Sequence, residues 1–175
     1  MELVEFWGWR FHSDAEATRR AYERLQMTPS EISTSVYARN FDAARDRAYP
    51  DETRELFERL GIDYRYFGEL WIPDNAGSGL YHYHGVFHFS GVIDVTSVGN
   101  DPIRLISRFC MTFSTGDYAP GPVASDLLKQ GLPVVQIDFE TVVPWVIEEP
   151  EPENLPLMPP DYDCQSLRPR RIHVK

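Results

Sequence analysis

Apolar and polar residues along this 175-residue chain follow two periods in succession. Up to about residue 61 most apolar positions recur three and four apart, as in helices that bury one side; beyond it they alternate, as in strands. The opening segment is an exception. Leu3 to Phe11 is dense in aromatic and β-favouring residues and predicts a first strand, with Trp7 and Trp9 on one face. Ser13-Asp14-Ala15-Glu16 then reads as a capping box for a helix in which Ala15, Ala21, Tyr22 and Leu25 share a side. Thr28-Pro29-Ser30-Glu31 is a second helix start. Tyr37, Phe41, Ala44 and Ala48 predict a helix from about residue 35 to 48. Pro50 and Asp51 open another, with Thr53, Leu56, Phe57 and Leu60 inward and Gly61 placed to end it.

Alternation predicts strands at about 62–72, 80–95, 103–115 and 133–147, linked by Asp74 to Gly79, by Ser97 to Pro102, and by a loop with a short helix over 123–130. Each strand separates into two faces. One carries Tyr81, Tyr83, Phe87, Phe89, Ile93 and Val95, then Phe109, Met111 and Phe113, then Val135, Ile137, Phe139 and Val143, and is expected to bury against the helices. The other carries His82, His84, His88, Ser90 and Asp94, then Arg104, Arg108 and Cys110, then Gln136, Asp138 and Glu140. The expected fold class is α+β: an antiparallel sheet of about four to five strands packed on one face by N-terminal helices. Residues 1–147 read as a single domain. From Glu148 onward six prolines forbid a continuous helix or central strand, so 148–175 reads as an extended Pro-rich tail, either disordered or wrapped on the body through Leu155, Leu157, Met158 and Tyr162.

Composition changes this picture in two respects. No run reaches the ~20 apolar residues of a membrane span, and Glu2 and Glu5 stand where a secretory signal carries cations, so no membrane association and a cytoplasmic location are expected. Cys110 and Cys164 are the two cysteines; reduced thiols suit that location, and their pairing would instead pin the tail. The net charge of −10 is unevenly distributed. Residues 67–165 hold 14 acidic groups against Arg104, Arg108 and Lys129, a net of −11, while the last ten residues return +4 through Arg168, Arg170, Arg171 and Lys175. Such a field repels phosphate backbones, which argues against nucleic acid, and favours a basic protein partner.

Candidate chemistry centres on Tyr81 to Phe89, where three of the five histidines lie within seven residues. Two histidines at i and i+2 place their Cα atoms ~6.6 Å apart, close enough to grip one ion, whereas His88 lies ~13 Å beyond His84. A divalent metal such as zinc would therefore take His82 and His84 with a carboxylate from another strand, Asp138, Glu140 or Glu69. The pair resembles the metal strands of cupins, but Phe87-His88-Phe89-Ser90 stands where that family carries its glutamate. Acid/base work would use His84 or His88, oriented by Asp138 or Glu140. No complete catalytic or cofactor signature accompanies either arrangement.

Aromatic residues make up 13% of the chain; most belong in a core, but Tyr64, Tyr66, Trp71, Tyr81, Tyr83 and Tyr118 crowd, with acids, around one predicted hairpin. A surface rich in tyrosine and acids and poor in lysine suits a basic protein partner, which marks Tyr64, Glu69, Trp71, Asp74, Tyr81, Tyr83, Asp94, Asp117 and Tyr118 as partner-binding candidates. With its opening Trp7-Gly8-Trp9-Arg10, mixed helices and aromatic, acidic sheet, the whole chain resembles immunity proteins of bacterial polymorphic toxins. That resemblance implies a cognate toxin as partner and inhibition by steric cover. The expectation carried forward is a non-catalytic acidic inhibitor, with a small metal-dependent or histidine enzyme as the alternative.

Overall fold

The first hydrophobic run folds back on itself. In the computed structural model, which describes residues 1–33, 35–71, 74–97, 102–106, 109–116, 121–153 and 155, Glu2–Phe6 (β1) and Trp9–Ser13 (β2) pair antiparallel from Phe6 opposite Trp9 to Glu2 opposite Ser13. Trp7 and Gly8 form the turn with φ of 48° and 84°, both left-handed, the twist that suits a two-residue hairpin. The single strand expected over residues 3–11 is therefore a hairpin. Its tryptophans do not share a face: Trp9 is buried, while Trp7 is 61% exposed and donates from Nε1 to Glu52 at 3.0 Å.

Among the described residues four longer helices and one single turn follow the expected order. In Ala15–Glu23 (α1) the cap is Asp14, which accepts from the Ala17 amide at 2.9 Å; Ser13 still belongs to β2, so the expected Ser13–Glu16 capping box does not form, and Glu16 accepts from Arg19 and Arg20 instead. Pro29–Ile32 (α2) is a single turn before which the Glu31 carboxylate accepts from both the amide and the hydroxyl of Thr28. Val36–Ala48 (α3) and Asp51–Leu60 (α4) bury Phe41, Ala44 and Ala48, and Thr53, Leu56, Phe57 and Leu60, at the predicted spacings. Pro122–Lys129 (α5) is the short helix before the last strand.

Among the described residues the sheet is antiparallel with eight strands, more than expected. Its order is β1-β2-β5-β8-β7-β6, where β5 is Leu80–Ile93, β6 Ile103–Ile106, β7 Phe109–Ser114 and β8 Val134–Pro144. Two short strands, Glu69–Leu70 (β3) and Asp74–Gly77 (β4), pair along the other edge of β5. Between β3 and β2 that edge is satisfied by side chains of α1: Tyr22 donates to the His88 carbonyl at 3.1 Å, and Thr18 accepts from the Ser90 amide at 3.0 Å.

Three expectations change. Of the strand expected over 62–72, the described residues 62–71 yield one paired dipeptide, Asp63 accepting from the Arg65 amide in a local turn before it. The expected connector 74–79 supplies β4. The strand expected over 103–115 is a hairpin in which Ile106 and Phe109 stand opposite each other.

Parity decides the core. Tyr81, Tyr83, Phe87 and Phe89 of β5, Phe109, Met111 and Phe113 of β7, and Val135, Ile137, Phe139 and Val143 of β8 are buried with Phe41, Tyr49 and Phe57 of the helical layer. The alternating face expected to meet the helices does so, except that Val95 is fully exposed because β5 ends at Ile93. The opposite face keeps the polar residues together and forms the candidate site.

Candidate functional site

β5 and β8 run antiparallel over eleven residue pairs, from Leu80 opposite Pro144 to Ser90 opposite Val134. This long register sets His84 opposite Glu140 and His88 opposite Gln136. Their side chains meet diagonally as well as directly. His84 Nε2 lies 3.7 Å from Asp138 Oδ1, and His82 Nε2 lies 3.6 Å from Glu140 Oε2. His82 Nδ1 also stands 4.0 Å from Asp74, because β4 places Asp74 opposite His82. His88 Nε2 and Gln136 Oε1 are 3.2 Å apart, and Gln136 Nε2 donates to both oxygens of Asp138 at 3.0 Å. A continuous polar strip thus runs from His88 through Gln136 and Asp138 to His84.

Trp71 closes one end of the strip. Its amide donates to the His84 carbonyl at 2.9 Å, and its ring stacks on the His84 imidazole at 4.5 Å and 18°. The indole remains 40% exposed, so a rigidly held aromatic surface faces solvent beside Asp138, Glu69 and Asp74. His88, by contrast, is enclosed. Gly68 and Gly121 press on its ring so closely that a Cβ at either would come within 3.0–3.4 Å of imidazole atoms, which explains glycine at both positions.

Among the described residues the histidines do not converge on a single point that would hold a metal. His82 turns toward Glu140 and His84 toward Asp138, so their ring nitrogens address different carboxylates rather than one point at the ~2 Å distance that zinc requires. Among the described residues no group of three His, Cys, Asp or Glu side chains is placed to hold a metal ion. The His84–Asp138 pair has the form of a base with an orienting carboxylate. The nearby nucleophile types are withdrawn, however: Thr112, opposite Asp138, is buried, and Cys110, opposite Glu140, is disulfide-bonded. That bond departs from the expectation of reduced thiols; Cys164 lies outside the described residues.

The partner-binding candidates separate. Glu69, Trp71 and Asp74 cluster on the strip. Tyr81 and Tyr83 do not belong to a surface: both are buried, Tyr83 donating to the Tyr37 carbonyl and Tyr81 to Glu151. Burial raises both hydroxyls to about 12, with the Glu151 carboxylate adding to the effect at Tyr81. Tyr64 packs on Tyr49 and lines a separate cleft of about 940 Å³ with Arg19, Arg54 and Glu58. Asp117 and Tyr118 lie outside the described residues.

Asp94 sits at the far end of β5, twelve residues from His82 in sequence and thus ~40 Å along a strand, too distant to share a patch with Asp74. Its carboxylate closes the turn after β5, accepting from the hydroxyl and amide of Thr96 and facing His12. The Thr96 hydroxyl, the Thr96 amide and then His12 lower its pKa from 3.8 to about 2. Because the folded value lies below the unfolded one, this stabilisation is present above about pH 4 and is lost as pH falls toward 2. The urea midpoints of the wild type and Asp94→Asn should therefore differ at pH 6 and converge near pH 2; a constant difference would assign the effect to packing.

Gln136 and Asp74 are both marked in the sequence, Gln136 on the polar face and Asp74 as a partner-binding candidate, but their pairings are not. Gln136 bridges His88 and Asp138, a role that no composition signal reveals. Asp74 faces His82 because Ser78 and Gly79, with φ of 56° and 70°, turn the chain between β4 and β5. Reading Asp74 to Gly77 as a strand ahead of that turn, rather than as a connector, would have exposed the register. Among the described residues no helix is long and apolar enough to cross a membrane. No known family, curated protein or solved structure matches the chain.

Proposed function

We propose that this protein is a stoichiometric binding protein of the immunity type, which uses the exposed margin of its polar sheet face, around Trp71, to cover a basic site on a partner protein such as a cognate toxin. The observation that carries this reading is the half-exposed Trp71, held against His84 beside Asp138, Glu69 and Asp74. A tryptophan already fixed in place loses little entropy on binding, and carboxylates around it favour an arginine or lysine laid on the indole. No lysine or arginine occurs in β5, β7 or β8, so the centre of this face contributes no positive charge. The net charge of −10 would speed encounter with a basic partner.

The test is equimolar mixing with the purified product of the adjoining gene, followed by calorimetry and an assay of that product's activity. Wild type should form a one-to-one complex that abolishes the activity and weakens steeply as salt is added. Trp71→Ala should raise Kd by about 30-fold, the effect of removing a central aromatic anchor. No complex, or a complex indifferent to both salt and Trp71, would refute the proposal.

A further inference from the structure

His84 joins the two groups that a bound cation would use. Its imidazole stacks on Trp71 at 4.5 Å and 18°, and its Nε2 lies 3.7 Å from Asp138 Oδ1. That nitrogen is buried without a hydrogen-bond partner among the described residues, although the side chain as a whole is 34% exposed. At 3.7 Å a neutral ring makes no hydrogen bond to the carboxylate. An imidazolium would engage both neighbours with little movement. Closing by about 1 Å gives a charge-assisted bond to Asp138, and the indole already lies inside the ~6 Å reach of a cation–π contact. Both neighbours are fixed in advance: Gln136 Nε2 donates to both Asp138 oxygens, and the Trp71 amide donates to the His84 carbonyl.

Each neighbouring strand presents charge to this row. On β8, Glu140 stands opposite His84, with Asp138 diagonal to it. On β3, Glu69 stands opposite Val86, two residues before Trp71, and on β4 Asp74 stands opposite His82. Groups that carry or can acquire positive charge are fewer among the described residues. His82 lies 3.6 Å from Glu140, and Arg104 is exposed on β6, three strands from β5. Of these, His84 alone sets an ionisable nitrogen between the indole and a carboxylate.

We propose, on the reading that Trp71 seats a partner's cation, that His84 is a pH-sensitive positioning residue of this margin. Neutral, it leaves the indole and Asp138 to an incoming guanidinium or ammonium group; protonated, it engages both itself. Imidazole is the side chain whose charge changes across the physiological range, whereas ordinary carboxylates titrate near pH 4. On protonation the row of Trp71, His84 and Asp138 passes from one net negative charge to none. An approaching cation then meets an imidazolium beside the indole and a carboxylate already satisfied. Affinity for a basic partner therefore falls as pH falls, and the cause is a charge made within the site.

The test follows the Trp71 indole N–H by heteronuclear NMR in the intact protein, the signal being identified by its absence from Trp71→Phe. Between about pH 8 and about pH 5 it should titrate in the wild type and in His82→Gln but not in His84→Gln, each variant checked by circular dichroism. The probe for the seat is acetylated triarginine amide, whose own charge is constant over that range. Its Kd, read from the same signal, should be about tenfold higher at the acid end for the wild type and change by less than about twofold for His84→Gln. An indole signal that ignores pH, or that loses its titration in His82→Gln instead, would overturn the assignment to His84. A titrating signal with equal peptide affinity at both ends of the range would overturn the switch while leaving the seat intact. A peptide that leaves the Trp71 signal unmoved even at about pH 8 would overturn the seat itself, and with it the role given to His84.

Discussion

Phe139→Ala should destabilise the protein by about 3–5 kcal/mol, a large share of the 5–15 kcal/mol that usually holds a domain together. Phe139 is fully buried at the middle of β8, and its ring meets Phe41 of α3, Tyr49, Phe87 of β5 and Phe109 of β7 at centroid distances of 5.3–6.4 Å. Gly85, directly opposite on β5, makes room for it: a Cβ there would stand 2.7 Å from Phe139 Cζ. The neighbouring rings are themselves packed and cannot swing into the space, so truncation would leave a cavity as well as lost contacts. Urea titration should show a lower midpoint with little change in slope. A loss below about 1 kcal/mol would mean that the aromatic cluster collapses around the gap. Because Asp138 and Glu140 flank Phe139 on the opposite face, the same substitution should also loosen the polar strip.

The central strand was legible because both of its faces are occupied by residues of consistent character. Tyr81, Tyr83, Phe87 and Phe89 point one way and His82, His84 and His88 the other, so a period of two suffices. Placing Tyr81 and Tyr83 on a partner surface ran against that period; the tyrosine hydroxyls reach polar partners from inside the core, Tyr83 meeting Asn40 and Tyr37. The N-terminal hairpin was hidden because tryptophan rarely takes a left-handed φ, while the usual signal is asparagine or glycine; here the exposed Trp7 is held by Glu52. The aromatic residues of 62–72 reflect packing, as in Tyr64 against Tyr49, rather than strand pairing. The histidine pairings were out of reach for another reason: which carboxylate each imidazole meets depends on a β5–β8 register between segments about fifty residues apart, set by the packing of the whole sheet.

Gly61→Ala should cost about 2–4 kcal/mol, although it adds one methyl group. Gly61 ends α4 with φ of 77°, its amide bonding to the Glu58 carbonyl while the Ile62 amide closes on Phe57. Left-handed backbone alone costs an alanine about 1 kcal/mol. Steric overlap costs more, since the added Cβ would fall 2.2 Å from the Ala15 carbonyl oxygen, backbone at the start of α1 that no rotamer change can move aside. The helix junction beneath α1 would have to open, and α1 carries the Tyr22 and Thr18 bonds to the edge of β5. Gly77 separates the two costs. It has φ of 81°, and a methyl group placed there would meet nothing within 4 Å, so Gly77→Ala bears only the conformational cost. Thermal unfolding should therefore fall by on the order of 10 °C for Gly61→Ala and by about 3 °C for Gly77→Ala. Equal shifts would show that α1 yields to the extra methyl and that its seat on α4 is not rigid.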